Sequence, residues 1–403
     1  MKYSFIFGTV WGAMCLSGLQ AQTCDLNHYL NKALSGAPLL KDYQNQVIIN
    51  QIDSLILKAA HKPQVNFSAN PYWSPMDSGN YDALLTLRQT IIGRKNINTQ
   101  LYSYTLDNQS IQNAQQVSEQ DLKCAVTQQY ITTYGVLEEL LFNRALKDLL
   151  QKEEVLVQRL TEASVYRQTD YLNFHITEQQ QQLLVDQLYA DYQNNIALLN
   201  YLCGEVDTSF VYLLPPDIAL RPNLLFEETL QYSGFQIDSL VIINNNALID
   251  YAYRPKLEIF SDAGLNSSFA RQPYRHLGVG IGLSLSIPVY DGGQRQKEHS
   301  KLSVSEQTRN RYQDFSRQQY RQQIDQLHQQ LSHLQKLIDQ AREVVSSTRL
   351  LVEAYGKQLQ TGDTSVTEYI LAIGNYITAQ HVITQNTNSK LQIINQINYW
   401  NHE

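Results

Sequence analysis

Proline is missing from two long stretches of this 403-residue chain. All ten prolines fall between Pro38 and Pro75 or between Pro215 and Pro288, leaving residues 76–214 and 289–403 without one. Proline inside a helix removes a hydrogen bond, clashes with the preceding turn and costs about 3 kcal/mol, so its absence permits very long helices. Glycine is scarce in the same places. Gly135 is alone between Arg94 and Cys203, and only Gly356, Gly362 and Gly374 follow Gln294.

Other shortages exclude whole classes of protein. Past residue 21 no run approaches the roughly 18 apolar residues of a membrane-spanning helix, and the mean hydropathy is -0.35. A membrane could therefore be crossed only by a closed β-barrel. A net charge of -7 without basic clusters argues against nucleic acid as a partner. Of the cysteines, Cys24, Cys124 and Cys203 follow residue 21. An odd number makes no disulfide framework, and the spacing matches no zinc site. Cys124 and Cys203 read as helix-face residues, and Thr23 in front of Cys24 departs from the small residue that lipidation favours. There is no Gly-x-Ser-x-Gly elbow and no paired metal motif, and His299, His328 and His333 read as helix-face residues. No catalysis, cofactor or metal is expected. Charged residues make up only 17%, so a surface wetted largely by Gln and Asn is expected, as in the run Gln179–Gln182.

What is present begins with residues 1–21. Lys2, a mostly apolar Phe5–Leu16 and Ala21 read as a secretory signal peptide, although Leu19 is bulky for its place before the cut. A membrane anchor is the competing reading, and the apolar core is short for it. The rest is one plan used twice, offset by about 195 residues: short helix, proline-started strand, second strand, long helical hairpin. Pro63 opens Gln64-Val65-Asn66-Phe67-Ser68, and Pro255 opens Lys256-Leu257-Glu258-Ile259-Phe260-Ser261. The expected order is an N-terminal helical segment (22–62), strand pair (63–92), hairpin (93–204), linker and short helix (205–254), strand pair (255–290) and hairpin (291–403).

The second hairpin carries the clearest packing signal. Ile324, Leu327, Leu331, Leu334, Ile338, Ala341, Val345, Thr348, Val352, Tyr355 and Leu359 alternate spacings of three and four, a coiled-coil seam. Leu337, Val344 and Leu351 widen that face, so more than one neighbour is expected; a simple two-stranded coiled coil is the alternative. The return helix repeats the spacing from Ile370 through Ile394. Between them Gln360, Thr361, Gly362, Asp363, Thr364 and Ser365 combine turn chemistry with a helix start, the tip of a hairpin. The first half turns near Arg167, Gln168, Thr169 and Asp170, without the glycine. About 65 residues from Gly293 to the tip, at about 1.5 Å each, make roughly 100 Å of helix.

Residues 277–289 alternate aliphatic residues, Leu277 through Val289, with Gly278, Gly280, Gly282, Ser284 and Ser286. That suits a strand with lipid on one side and a lumen on the other, and equally a half-buried soluble strand. Gln64–Trp73, Tyr81–Ile91 and Lys256–Leu265 are the other spans, joined by loops 74–80 and 266–276, with Trp73 placed as an interfacial aromatic. Four strands cannot close a barrel, which needs about eight, so a chain that spans a membrane must oligomerise.

These residues resemble the TolC-like outer-membrane efflux family. The resemblance covers nearly the whole chain from Leu26. It is carried most specifically by Leu285-Ser286-Ile287-Pro288-Val289-Tyr290-Asp291-Gly292-Gly293, similar to the family's junction of last barrel strand and long helix, and by Tyr355, Gln358, Gly362, Ser365, Glu368, Tyr369, Ile370, Leu371 and Ala372, similar to its second tip. The resemblance implies a mainly α fold with a small β part. Three chains would form a homotrimeric 12-stranded barrel in outer-membrane lipid, continued by a periplasmic helical tunnel. It implies a passive export duct of a Gram-negative outer membrane, docking through the tips to a periplasmic adaptor and an inner-membrane transporter. It places Glu368 at the tunnel's constriction, with Asp170 as the first-half counterpart. An ordinary acid at a helix N-terminus is the other reading of both. The competing class is a structural or adhesive coiled-coil protein without a pore.

Overall fold

The structure, a computed structural model, describes residues 23–74, 77–206, 210–267 and 277–402. The expected signal segment lies outside them, as do most of loop 266–276 and the side chain of Trp73. After a two-residue strand β1 (Thr23–Cys24) and helix α1 (Leu26–Gly36), the chain runs α2 (Pro38–Ala60), β2 (Gln64–Ser74), β3 (Asp77–Ile91), α3 (Arg94–Glu162) and α4 (Gln168–Leu202). A short strand β4 (Tyr212–Leu213) precedes the second pass: α5 (Leu230–Ala252), β5 (Lys256–Ser267), β6 (Leu277–Ser286), α6 (Gln294–Thr361) and α7 (Val366–Trp400). The helices match in length: α2 and α5 have 23 residues each, α3 and α6 have 69 and 68, and α4 and α7 have 35 each. The proline-free stretches thus run as two long hairpins, each interrupted only at its tip.

The chain divides into two compact units. One comprises Ala37–Cys124, Leu220–Leu331 and Gln396–Glu403 and contains a four-stranded antiparallel sheet in the order β2-β3-β5-β6. β3 and β5 join the two halves along eleven residue pairs, from Tyr81↔Ser267 to Ile91↔Leu257. The β2–β3 hairpin is tighter than its composition suggested, since pairing continues to Ser74↔Asp77. β6 stops at Ser286, so Ile287, Pro288 and Val289 of the alternating run lie beyond the strand.

Directly paired residues of an antiparallel ladder point to the same side. Val65 pairs with Leu87, Phe67 with Leu85, Ile259 with Leu283, and Ala263 with Val279, which gathers the aliphatic residues of all four strands on one face. That face is open: Phe67 is 70% exposed and Ile281 81%. The other face is mostly polar or small, with Asn66, Ser68, Thr86, Arg88, Glu258 and Ser284, and carries Leu84 and Phe260 as its large apolar residues. Gly282 on it leaves room for its partner, since a Cβ there would lie 2.3 Å from the Phe260 ring and the ring would have to shift.

Short helices dock onto long ones through buried amides. Asn50 of α2 donates to the Tyr104 carbonyl and the Asn108 side chain, both at 2.8 Å. Asn244 of α5 donates to Ser103 Oγ at 2.7 Å, which places α5 beside α3 as well. On its other side α5 meets α6, where Arg295 and His299 both reach Asp250. The chain end is tied in by Tyr320, whose hydroxyl donates to the Leu224 carbonyl (2.9 Å) and to Asn401 Oδ1 (2.8 Å) above the Phe226–Ile324 cluster.

Among the described residues, the second unit is drawn from the stretches 23–36, 125–219 and 332–395. Its N-terminal segment is clipped by β1, which pairs in parallel with β4. Tyr130, fully buried on α3, donates to the Leu214 carbonyl at 2.7 Å beside this clip. Cys203 is buried next to Tyr29, and burial pushes its thiol up to about 11, as suits a packed, unreactive helix-face cysteine. The lone glycine of α3 has a partner: a Cβ on Gly135 would lie 1.8 Å from Nδ2 of Asn388 on α7. None of the eleven seam residues of α6 is exposed, whereas Leu337 and Val344 remain about half exposed in a single chain.

Candidate functional site: the hairpin tips and the sheet

The two tips close by the same backbone device. A helix that ends in a Schellman turn needs one residue with φ > 0, followed by an N–H reaching five residues back. At the second tip this is Gly362, with φ 79°, and Asp363 N–H donates to the Gln358 carbonyl at 3.0 Å. At the first it is Ser164, with φ 63°, and Val165 N–H donates to the Leu160 carbonyl at 2.8 Å. The glycine missing from the first tip is therefore replaced in function by a serine held in a conformation unfavourable to it. This turn lies earlier than the residues Arg167, Gln168 and Thr169 suggest. Arg167 is the N-cap of α4, and Gln168 and Thr169 form its first turn.

Glu368 and Asp170 occupy the same position, the third residue of the return helix. Glu368 completes a capping box, a reciprocal exchange of hydrogen bonds at a helix start. Its carboxylate accepts from the Ser365 N–H (3.1 Å) and from the hydroxyls of Thr364 (2.9 Å) and Ser365 (3.0 Å), while its own N–H donates to Ser365 Oγ (3.2 Å). Chiefly the Ser365 N–H, and then the two hydroxyls, hold this carboxyl below the usual carboxylate range, so it is an exposed, persistent negative charge. Asp170 accepts from the Arg167 N–H at 3.1 Å.

The tips also pack on each other. Tyr166 donates from one hydroxyl to the carbonyls of Leu359 and Thr364, each at 3.0 Å. Phe174 of α4 stacks on Tyr369 of α7 with centroids 6.2 Å apart and planes 4° from parallel, within a core that includes Leu150, Val157, Leu359 and Val366. Thr364 is consequently buried and Gly362 faces Val165, while Arg167, Gln168, Thr169, Gln360, Thr361, Asp363 and Ser365 stay exposed. Tyr166 had no signature in its own neighbourhood, since its partners lie nearly 200 residues away.

The junction residues sit under the sheet, in the other unit. Pro288 supplies no N–H, which suits the end of a strand, and Val289 and Tyr290 are almost fully exposed. Asp291 then starts α6. Its carboxylate accepts from the N–H groups of Arg295 (2.8 Å) and Gly293 (2.9 Å), first of all the former, which lowers its pKa. Gly292 and Gly293 take φ of 66° and 77°, a redirection of the chain that residues with a Cβ resist. Among the described residues no group of three or more His, Cys, Asp or Glu is placed to hold a metal ion, and no helix is long and apolar enough to cross a membrane.

A four-stranded antiparallel sheet with one apolar open face, carried by two long helical hairpins in a duplicated chain, defines the fold. Solved structures share it. The outer membrane protein VceC of Vibrio cholerae is similar over 93% of this chain and 96% of its own, with TM-score 0.75 and 11% identity. The MtrE outer membrane channel of Neisseria gonorrhoeae, in its open state, is similar over 93% and 88%, with TM-score 0.75 and 11% identity. CusC, described in terms of transmembrane channel formation, is similar over 94% and 92%, with TM-score 0.78 and 12% identity. No protein-family model and no curated relative matches the sequence. The resemblance to TolC-like outer-membrane channels is thus borne out in the fold, across nearly the whole chain.

Proposed function

We propose that this protein is a passive export duct of a Gram-negative outer membrane, with no catalytic step of its own. The observation that carries the reading is the sheet: its apolar face is exposed to whatever solvent surrounds it, its polar face is turned away, and its outer strands β2 and β6 each pair on one side only. Lipid is the medium in which an exposed face of Phe67, Val279 and Ile281 is at its most stable, and water is the least favourable one. Unpaired strand edges in lipid are costly, so the sheet must be closed by further copies. Three copies would make twelve strands, with the helical hairpins continuing into the periplasm as a tunnel.

The exposed residues Arg167–Thr169, Gln360, Thr361, Asp363 and Ser365 would then meet a periplasmic adaptor and, through it, an inner-membrane transporter that supplies energy and selects cargo. Glu368, and Asp170 beside it in the repeat, would face copies of themselves across a threefold axis and favour cations at the narrow end. Capping and charge are compatible roles, because a carboxylate that accepts hydrogen bonds stays ionised. The fold likeness to outer-membrane channels supports this reading.

The test is conductance. Purified oligomers added to planar bilayers should give discrete ion currents, and Glu368→Gln should change conductance or reduce cation preference. Recovery of the protein only in the soluble periplasmic fraction would defeat the proposal; an unchanged current in Glu368→Gln would remove Glu368 from the constriction.

A further inference from the structure

Where β3 passes into α3 and α5 passes into β5, the chain leaves a cavity of about 120 Å3. Lys95, Arg254 and Lys256 line it, and among the described residues no carboxylate does. All three cations are exposed, and none makes an ion pair or a side-chain hydrogen bond with another described residue. Two carboxylates close by in the chain are already engaged: Asp250 by Arg295 and His299, at 2.7 and 3.0 Å, and Glu258 by Arg88 at 4.0 Å. The Arg254 guanidinium stands 4.3 Å from the centre of the Tyr251 ring, which fixes its position and leaves its N–H groups for an acceptor. Like charges gathered without a counter-charge repel, so this arrangement is at its most stable with an anion among them. The rest of the lining is partly apolar, with Ile91 and Ile92. Ile91 is the last residue of β3 and belongs to the open apolar face, paired with Leu257.

We propose that this cavity binds the anionic phosphate headgroup of a membrane lipid whose acyl chains lie along the apolar face of the sheet. The inference rests on the reading that the sheet stands in lipid, which puts its helix-side end at headgroup level. Arg254 would offer a phosphate two parallel N–H donors, and Lys95 and Lys256 would reach it as point charges. Their aliphatic stems can lie on apolar surface while the charges meet the headgroup. A free phosphate offers the same oxygens but nothing to cover Ile91. A lipid satisfies both halves of the site, because charge and the end of the apolar face meet in one cavity. β3 and β5 are the inner strands of the sheet, so the whole lining comes from a single chain and each copy carries a complete site.

The test is native mass spectrometry of the full chain in detergent, supplied with phosphatidylglycerol, beside a variant carrying Lys95→Gln, Arg254→Gln and Lys256→Gln. Each cation near an anionic headgroup is worth roughly fivefold, so the variant should need about tenfold or more lipid for the same occupancy. A variant carrying Lys95→Arg and Lys256→Arg keeps the charge and should bind as the wild type does, which separates lost charge from lost fold. Two arms use the wild type alone. Diacylglycerol, with acyl chains and no phosphate, should not be retained, and excess inorganic phosphate should fail to displace phosphatidylglycerol. Displacement by inorganic phosphate would make the ligand a free anion and overturn the lipid assignment. Retention of diacylglycerol as good as that of phosphatidylglycerol, or equal retention by the wild type and the glutamine variant, would overturn the site. Planar-bilayer currents keep the two readings apart: with currents intact such a result sinks this site alone, whereas a protein that gives no current and holds no lipid sinks the duct as well.

Discussion

Exchanging glycine and its replacement between the tips should have opposite effects at the two ends of the repeat. Ser164 holds φ 63° and Gly362 holds φ 79°, each closing a Schellman turn. A residue with a Cβ pays about 1–2 kcal/mol in that region, and glycine gives back about 0.5–1 kcal/mol in the greater freedom of the unfolded chain. Ser164→Gly should therefore stabilise the first tip by about 0.5–1 kcal/mol. Gly362→Ala suffers the same strain in reverse, and its Cβ would lie 2.8 Å from Val165 Cγ1, so the second tip should lose about 1–3 kcal/mol. The assay is native-state hydrogen exchange at the amides that close the turns, Val165 and Asp363, since each reports the local opening free energy. Protection of Val165 should rise roughly two- to fivefold in Ser164→Gly, while that of Asp363 falls about fivefold or more in Gly362→Ala. Unchanged or weaker protection of Val165 would mean that Ser164 is not under backbone strain, and the equivalence of the two turns would be lost.

Further expectations concern single contacts. Gly135→Ala, ordinarily worth about 1 kcal/mol of added helix stability, must push the Asn388 amide aside, so it should deliver less than that gain; adding Asn388→Ala should restore it, as read by exchange of the amides around residue 135, and an equal gain with and without Asn388 would show that the amide does not crowd Gly135. Tyr166→Phe removes the hydroxyl shared by the Leu359 and Thr364 carbonyls, at about 0.5–1.5 kcal/mol, and should speed tryptic cleavage after exposed Arg167; an unchanged rate would show that this contact does not hold the tips together. The Glu368 carboxyl has its pKa lowered on folding, so its contribution to the tip is present above the unfolded value and is lost only as pH falls through the lower folded one. Cation preference should accordingly persist from neutral pH down to about pH 5, and loss of preference above that would show that Glu368 is not the charge responsible.

The first-order architecture was legible because it depends on local rules. Stretches free of proline, with hardly a glycine, run as helices of 69 and 68 residues, since nothing in them interrupts the backbone ladder. The alternation of residues 277–286 became a strand with its aliphatic side exposed, because side-chain direction has a period of two. The turn and helix start at Gln360–Ser365 could be read for the same reason, and the structure adds that Ser365 and Glu368, within one turn of each other, form a capping box there.

What the sequence determined by itself is therefore the inventory: two strand pairs, two hairpins of equal helix lengths, and a glycine tip. The tertiary structure alone decided which residues answer one another. Ser164 takes a left-handed conformation because the first tip must close over Tyr166 and the second tip, and no local preference of serine announces that. Gly135 faces the Asn388 amide, which arrives from a helix some 250 residues later. The sheet's apolar side became a site only when β3 paired with β5, which gathered four strands from both repeats onto one open face. Contacts between residues far apart in the chain depend on how the elements close in space, and that closure leaves no spacing to read.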